Sequence, residues 1–204
     1  MRAMEQLLER LAGDEKHDRS SLSTLDVLWV LYDRVLGEDD AFLLSKGHGP
    51  TAYYAVLAAK GLIGEEELDG FGSFDSRLGY HPDRVVLPAA TISSGSLGHG
   101  LPIAVGVALA GRRTFGLVGD GELDEGSNWE AVQLAGRLRL ANLTAVVVDN
   151  ASATHGWPGG IAARFALEGW ETSVVDGRDR DALETALSRN HVAGPVCVVA
   201  EVRE

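Results

Sequence analysis

Two hydrophobic rhythms alternate along this chain. One is a short, nearly continuous apolar run ending in a turn, at residues 40–44, 114–118, 143–149 and 195–202, with a more polar strand at 170–176 ending at an edge turn. Runs of that length, rich in Val, Leu and Phe, read as strands buried on both faces. The other is an apolar spacing of three and four residues. It covers residues 1–11, through Met4, Leu7, Leu8 and Leu11, and, with caps and apolar content, the helices read at 25–36, 50–60, 101–110, 127–140 and 179–188. That spacing gathers apolar side chains on one face of a helix, and Trp129, Val132, Ala135 and Leu138 are the expected buried stripe of the fifth such segment. Strands separated by helices predict an α/β domain with a parallel sheet.

The polar residues supply punctuation. Residues 13–21 form a break after the first helix, and Ser23 with Asp26 three residues later makes an approximate capping box for the second. Pro50 suits the first turn of a helix. Residues 61–76 read as short helix and loop, with Glu65-Glu66-Glu67 as a solvated face.

Composition then narrows the class. A chain of 204 residues, 45% hydrophobic and 24% charged, suits one globular domain over residues 1–204, and no repeat, low-complexity tract or linker divides it. A formal net charge of −12 argues against a nucleic-acid partner, which needs clustered Lys and Arg. The one cysteine, Cys197, excludes an intrachain disulfide and lies in an apolar run, as a buried thiol would. The N-terminal stretch is amphipathic and charged, so neither a signal peptide nor a membrane span is expected, and the expected compartment is cytoplasmic.

The chemistry collects at Gly119-Asp120-Gly121-Glu122-Leu123-Asp124-Glu125-Gly126 and at Asp149-Asn150. The order strand, turn, helix, strand places Asp120 and Asn150 at the carboxyl ends of parallel strands, where open α/β sheets bind ligands. A carboxylate and an amide oxygen suit a hard divalent cation that also takes phosphate oxygens. Gly119 and Gly121 let the backbone turn sharply and approach that phosphate. Ser45-Lys46-Gly47-His48-Gly49 adds a cation, an imidazole and free N–H groups at a helix N-terminus, a natural place for an anion. Residues 101–110 carry small side chains that allow close packing on the sheet or on another subunit. Glu122 and Asp124 read as ordinary helix-start acids complementing the dipole. No Gly-x-Gly-x-x-Gly follows the first strand, which disfavours a Rossmann-type nucleotide site.

Gly-Asp-Gly with Asn150 thirty residues after Asp120, the strings GDGELDEGSNWEAVQLAG, VVVDN and LSKGHG, and the later WETSVVDGRDRDAL together resemble the transketolases, a family of thiamine-diphosphate enzymes. The resemblance implies the three-layer α/β/α diphosphate domain of that fold, around a mostly parallel sheet. It implies a divalent metal (Mg²⁺, or Ca²⁺/Mn²⁺) held by Asp120, Asn150 and the backbone carbonyl of Ser152, bridging the diphosphate of thiamine diphosphate. It places Gly119 and Gly121 at the diphosphate turn and His48 against the diphosphate. Gly95 and Leu97 approach the thiazolium and aminopyrimidine, His81 lies near the reactive carbon, and His17 contacts substrate. Glu125 and Glu130 face the partner domain. The implied activity is transfer of a two-carbon ketol unit from a ketose, expected to be a phosphate, to an aldehyde.

In the family, the Glu that protonates the aminopyrimidine belongs to a second, pyrimidine-binding domain. The resemblance therefore implies a separate C-terminal transketolase-like subunit carrying that domain, in a heterotetramer acting on small sugars. Departures are Asp18, Arg19, His99, Thr154 and His155, which stand where the family has other residues. LSKGHG and GDGELDEGSNWEA favour transketolase over a deoxyxylulose-phosphate synthase or a 2-oxo acid dehydrogenase component. The other alternative is a non-catalytic regulatory or scaffold subunit of the same fold.

Overall fold

The computed structural model describes residues 2–11, 18–154, 156–188 and 193–203. Five strands, β1 (Ala41–Leu44), β2 (Thr114–Gly119), β3 (Leu143–Asp149), β4 (Glu171–Asp176) and β5 (Val196–Glu201), pair in parallel in the order β1-β2-β3-β5-β4. The helices between them are α1 (Arg2–Glu9), α2 (Asp18–Leu22), α3 (Leu25–Val30), α4 (Thr51–Ala59), α5 (Gly100–Leu109), α6 (Gly126–Leu138), α7 (Gly160–Leu167) and α8 (Arg180–Leu187).

Side-chain alternation along the strands sorts these helices into two layers. Phe42 and Leu44 of β1, Val146 and Val148 of β3, and Val196 and Val198 of β5 share one apolar cluster with α1, α3, α4 and α8. Ala41 and Leu43, Ala145 and Val147, and Cys197 and Val199 face the other way, onto α5, α6 and α7. Both faces of β1, β2, β3 and β5 are thus covered, the condition under which a parallel sheet is stable, while the edge strand β4 is largely exposed. Gly116 brings β2 and α5 close, since a Cβ there would touch the Ala104 methyl at 3.4 Å. Cys197 is fully buried in β5, and burial pushes its thiol pKa up.

Five local readings change. Residues 18–21, expected in the polar break, belong to α2. Ser23 does not cap the next helix; Thr24 holds the N-cap position with no side-chain cap bond. The hydroxyls of Ser23 and Thr24 turn back instead, donating to the carbonyls of Ser20 (2.7 Å) and Ser21 (2.6 Å). These carbonyls end a helix too short to satisfy them. Helix α7 is additional to the expected helices; it opens on two left-handed glycines, Gly159 and Gly160, with no side-chain cap bond. In α6 the buried face runs through Asn128, Ala131, Val132 and Ala135, leaving Leu138 exposed. Within the acidic run, Glu65 and Glu66 do face solvent, but Glu67 accepts from Gly64 N–H (3.0 Å) and pairs with Arg77 (2.6 Å). Among the described residues no helix is long and apolar enough to cross a membrane.

Candidate functional site

The strand register builds the site. Gly119 pairs with Val148, and Asp120 N–H donates to the Val148 carbonyl at 3.1 Å, so the turn leaving β2 lies against the turn leaving β3. On the other side, the N–H groups of Ser45 and Lys46 both donate to the Leu117 carbonyl, laying the turn after β1 beside β2. Three strand ends therefore converge at the carboxyl edge.

Asp120 is 1% exposed. Its carboxylate accepts Ser152 N–H (2.6 Å), Ser152 Oγ–H (2.6 Å) and Ala153 N–H (3.0 Å). Ala151, at φ +58°, turns the chain so that Ser152 comes back to Asp120. Left-handed backbone at a residue with a Cβ costs about 1–2 kcal/mol, so the turn is held by these contacts. Asn150 donates its amide N–H to Ser23 Oγ at 3.2 Å, while its buried Oδ1 has no hydrogen-bond partner among the described residues. A buried amide oxygen without a donor is costly unless something positive occupies it. A carboxylate, that free amide oxygen and the Ser152 carbonyl are the hard donor set a divalent cation takes. The residues present fit the implied metal.

The same edge holds a cleft of about 370 Å³ whose wall includes Lys46, His48, Leu97, Gly119, Gly121 and Ser152. Ser20, Glu122 and Thr154 complete its lining. Lys46 is 4% exposed and donates to the carbonyl and hydroxyl of Ser20. Burial lowers its pKa to about 8, with Asp120 and Glu122 opposing that shift. Gly47 is a point of close approach, because a Cβ there would lie 2.7 Å from the Gly95 nitrogen. His81 is exposed and packs its ring on Gly95, whose φ is +133° and whose added Cβ would sit 3.0 Å from His81 Cδ2. A hollow of about 420 Å³ lies elsewhere, bordered by Leu7, Arg10, Trp29 and Arg180. Its cations are already paired, Arg10 with Asp69 and Arg180 with Asp26, so the chemistry gathers in the smaller cleft.

The structure does not bring every expected residue there. Glu125 is exposed at the start of α6, behind Gly98 rather than on the cleft wall. Glu130 and His99 border a separate groove between α5 and α6 with Ile103 and Leu134. His17 lies outside the described residues.

Glu122 is not the helix-start acid that its position suggests. The chain makes a tight 3₁₀ turn over Gly121–Asp124 before α6, and that turn drives the Glu122 side chain inward, 3% exposed. It accepts from Ser45 Oγ, Gly98 N–H (2.9 Å) and Gly119 N–H (3.4 Å). Burial raises its pKa, with Ser45, Gly98, Gly119 and Lys46 opposing. Asp124 likewise leaves the helix start, accepting Thr154 N–H at 3.2 Å.

Known proteins fit this geometry. Residues 20–199 match the family described as transketolase, thiamine diphosphate binding domain. The chain is 51% identical over 212 residues to a Rhodococcoides fascians protein named ferredoxin fas2, covering 96% of this chain and 70% of that one. An iron–sulfur cluster is held by four cysteines in the usual ferredoxin sites, and this chain has one. A second relative is named as one of the subunits of an apulose-4-phosphate transketolase from Actinobacillus succinogenes. Identity to it is 36% over 206 residues, covering 90% of this chain and 75% of the relative. The transketolase structure from Campylobacter jejuni superposes with a TM-score of 0.77 at 21% identity, covering 98% of this chain but 38% of that one. The fold is therefore shared, and the present chain spans little more than a third of that enzyme's length. By the match over residues 20–199, the chain belongs to the transketolase family through its thiamine diphosphate-binding domain.

Proposed function

We propose that the chain is the N-terminal subunit of a two-component transketolase-like enzyme. It transfers a two-carbon ketol unit from a ketose phosphate to an aldehyde acceptor, using thiamine diphosphate and a divalent metal, Mg²⁺ above all. The observation that carries this reading is the buried Asn150 Oδ1, without a hydrogen-bond partner among the described residues, at a strand end adjoining the one that carries buried Asp120, on the sheet edge that holds the cleft with Lys46 and His48. The relative named as one component of an apulose-4-phosphate transketolase supports both the phosphorylated sugar and the separate partner.

Asp120, Asn150 and the Ser152 carbonyl hold the metal, and Gly119 and Gly121 leave room for the diphosphate beside it. Lys46 and His48 face the diphosphate's negative charge. Gly95 and Leu97 form the opposite wall. His81, at the exposed rim on Gly95, holds or moves a proton at the substrate carbonyl or hydroxyl. His17 has the same kind of role toward the sugar. When bound, thiamine diphosphate supplies the electron sink that lets the ketose C–C bond break; the protein orients and balances charge. The pyrimidine-binding domain comes from a C-terminal partner subunit, two copies of each chain form a heterotetramer, and residues 1–204 act as one domain in the cytoplasm. Glu125 and Glu130 lie outside the cleft, where they are available to that partner.

The test is calorimetry with thiamine diphosphate and Mg²⁺, followed by a ketol-transfer assay with the partner present. Asp120→Ala is expected to weaken metal-dependent cofactor binding by about 100-fold, at least what losing a group behind a metal ligand costs. Unchanged affinity at limiting Mg²⁺ would sink the proposal. Cofactor binding without transfer by the pair identifies a scaffold subunit instead.

A further inference from the structure

Three segments meet at one buried carboxylate. Glu122 Oε1 accepts from Ser45 Oγ, in the turn after β1, and from Gly98 N–H at 2.9 Å, in the glycine-rich stretch before α5. Its Oε2 accepts from Gly119 N–H at 3.4 Å, at the end of β2. The main-chain carbonyl of Glu122 is fixed in turn by Asn128 Nδ2 at 2.7 Å, in the first turn of α6. A carboxylate is the side chain for this point, because it offers acceptor lone pairs to all three donors and has no hydrogen of its own to oppose them.

The glycine-rich stretch reaches that carboxylate as bare backbone. Gly98 has φ +81°, and a Cβ on it would lie 2.7 Å from Glu125 Cβ. A Cβ on Gly100 would collide with Ser45. Leu97, the residue before Gly98, stands on the cleft wall with Gly119. The bond to Gly98 N–H and the bond to Gly119 N–H therefore tie two walls of one cleft to a single side chain.

We propose that Glu122 is the positioning residue of this cleft, clamping the Gly95–Gly98 stretch to the ends of β1 and β2 so that Leu97 and the diphosphate turn stand at a fixed separation before the cofactor arrives. It lines the cleft and acts through Gly98, Gly119 and Ser45. The proposal rests on the thiamine-diphosphate reading of the cleft, and it needs no change in protonation. A cleft whose walls are set in advance loses less freedom on binding, so the clamp raises affinity.

The experiment combines the chain with its partner and compares wild type, Glu122→Ala, Glu122→Gln and Asp120→Ala. Thiamine diphosphate affinity in Mg²⁺ is read by calorimetry, and hydrogen exchange is read over residues 96–100 and 117–121 without cofactor. Glu122→Ala is expected to speed exchange in both segments and to weaken affinity by about tenfold, the scale of losing a buried charged acceptor. Glu122→Gln keeps one acceptor oxygen for Ser45 and Gly98. It should leave residues 96–100 protected, speed exchange at 117–121, and stay within about threefold of wild-type affinity. If the Ala variant does not fold, the Gln variant decides: wild-type exchange in both segments overturns the clamp. Wild-type affinity and exchange in both Glu122 variants, with binding lost in Asp120→Ala, overturns the clamp and leaves the cofactor reading standing. A wild-type pair that takes up no thiamine diphosphate overturns both.

Discussion

Strands β2 and β3 lie side by side and each runs into an aspartate, yet the two carboxylates have opposite surroundings. Asp149 is gripped by the Arg203 guanidinium at 3.0 and 2.9 Å and also accepts Ala151 N–H at 3.1 Å. The Arg203 hydrogen bond comes first among the causes that hold its pKa below the ordinary value. Asp120 is more deeply buried and has no ion pair within 4 Å among the described residues; it accepts from two backbone N–H groups and one hydroxyl, and Lys46 and Arg203 feel its charge from farther off. Neutral donors orient a carboxylate without cancelling its charge. One acid ties down the segment that follows β5, while its neighbour holds the turn that follows β3. The difference lies in whether a cationic side chain closes a direct ion pair at the strand end, and not in the strand end itself.

Substitutions can strain that contrast in order of size. Lys46→Met removes the buried cation beside Asp120 and should weaken thiamine diphosphate binding by about tenfold, with a flatter dependence on salt. Titrations at two ionic strengths measure both, and an unchanged affinity would mean that the charge balance of the cleft is misassigned. Arg164→Ala acts on the loop that carries Ser152. The Arg164 guanidinium lies 3.9 Å from the centre of the Trp129 ring and 4.4 Å from that of Trp157, closing that loop onto α6. Its loss should cost about 1 kcal/mol in urea unfolding and shift tryptophan emission to longer wavelength. Stability equal to wild type would show the stack to be idle.

Arg203→Met has the smallest expected effect, at most about 1 kcal/mol, because the pair faces solvent. Its sign follows from the depressed Asp149 pKa: the stabilisation is complete above the unfolded pKa of about 4 and disappears as pH falls through the lower folded value. Wild type and variant should therefore differ at neutral pH and converge in acid. Cofactor affinity should be untouched; a large loss would erase the distinction between the two aspartates.

Much of this was legible in the chain because it is local. Apolar runs mark the strands, Pro50 marks the start of α4, and Asp120 and Asn150 need just the strand–helix–strand order to be placed together. Glu122 was not legible. Its partners Ser45 and Gly98 are 77 and 24 residues away, and nothing nearby signals that a single 3₁₀ turn will point it inward. The available hint was a Ser-Lys pair ending the first strand, which acquires meaning once β1 is known to lie beside β2. Helix α7 escapes the pattern for a related reason: its start is set by left-handed glycines and by the docking of Ile161 and Phe165 into the core, not by a polar cap. Ser23 misleads because a hydroxyl near two helix ends can serve either one.

The thiol of Cys197 is sealed in the central layer on β5, and it is the chain's single sulfhydryl. A thiol-reactive dye therefore has one target, reached only when the interior opens. Labelling under native conditions becomes a clock for that opening, reporting the protein's most deeply protected excursion while surface fraying goes unseen.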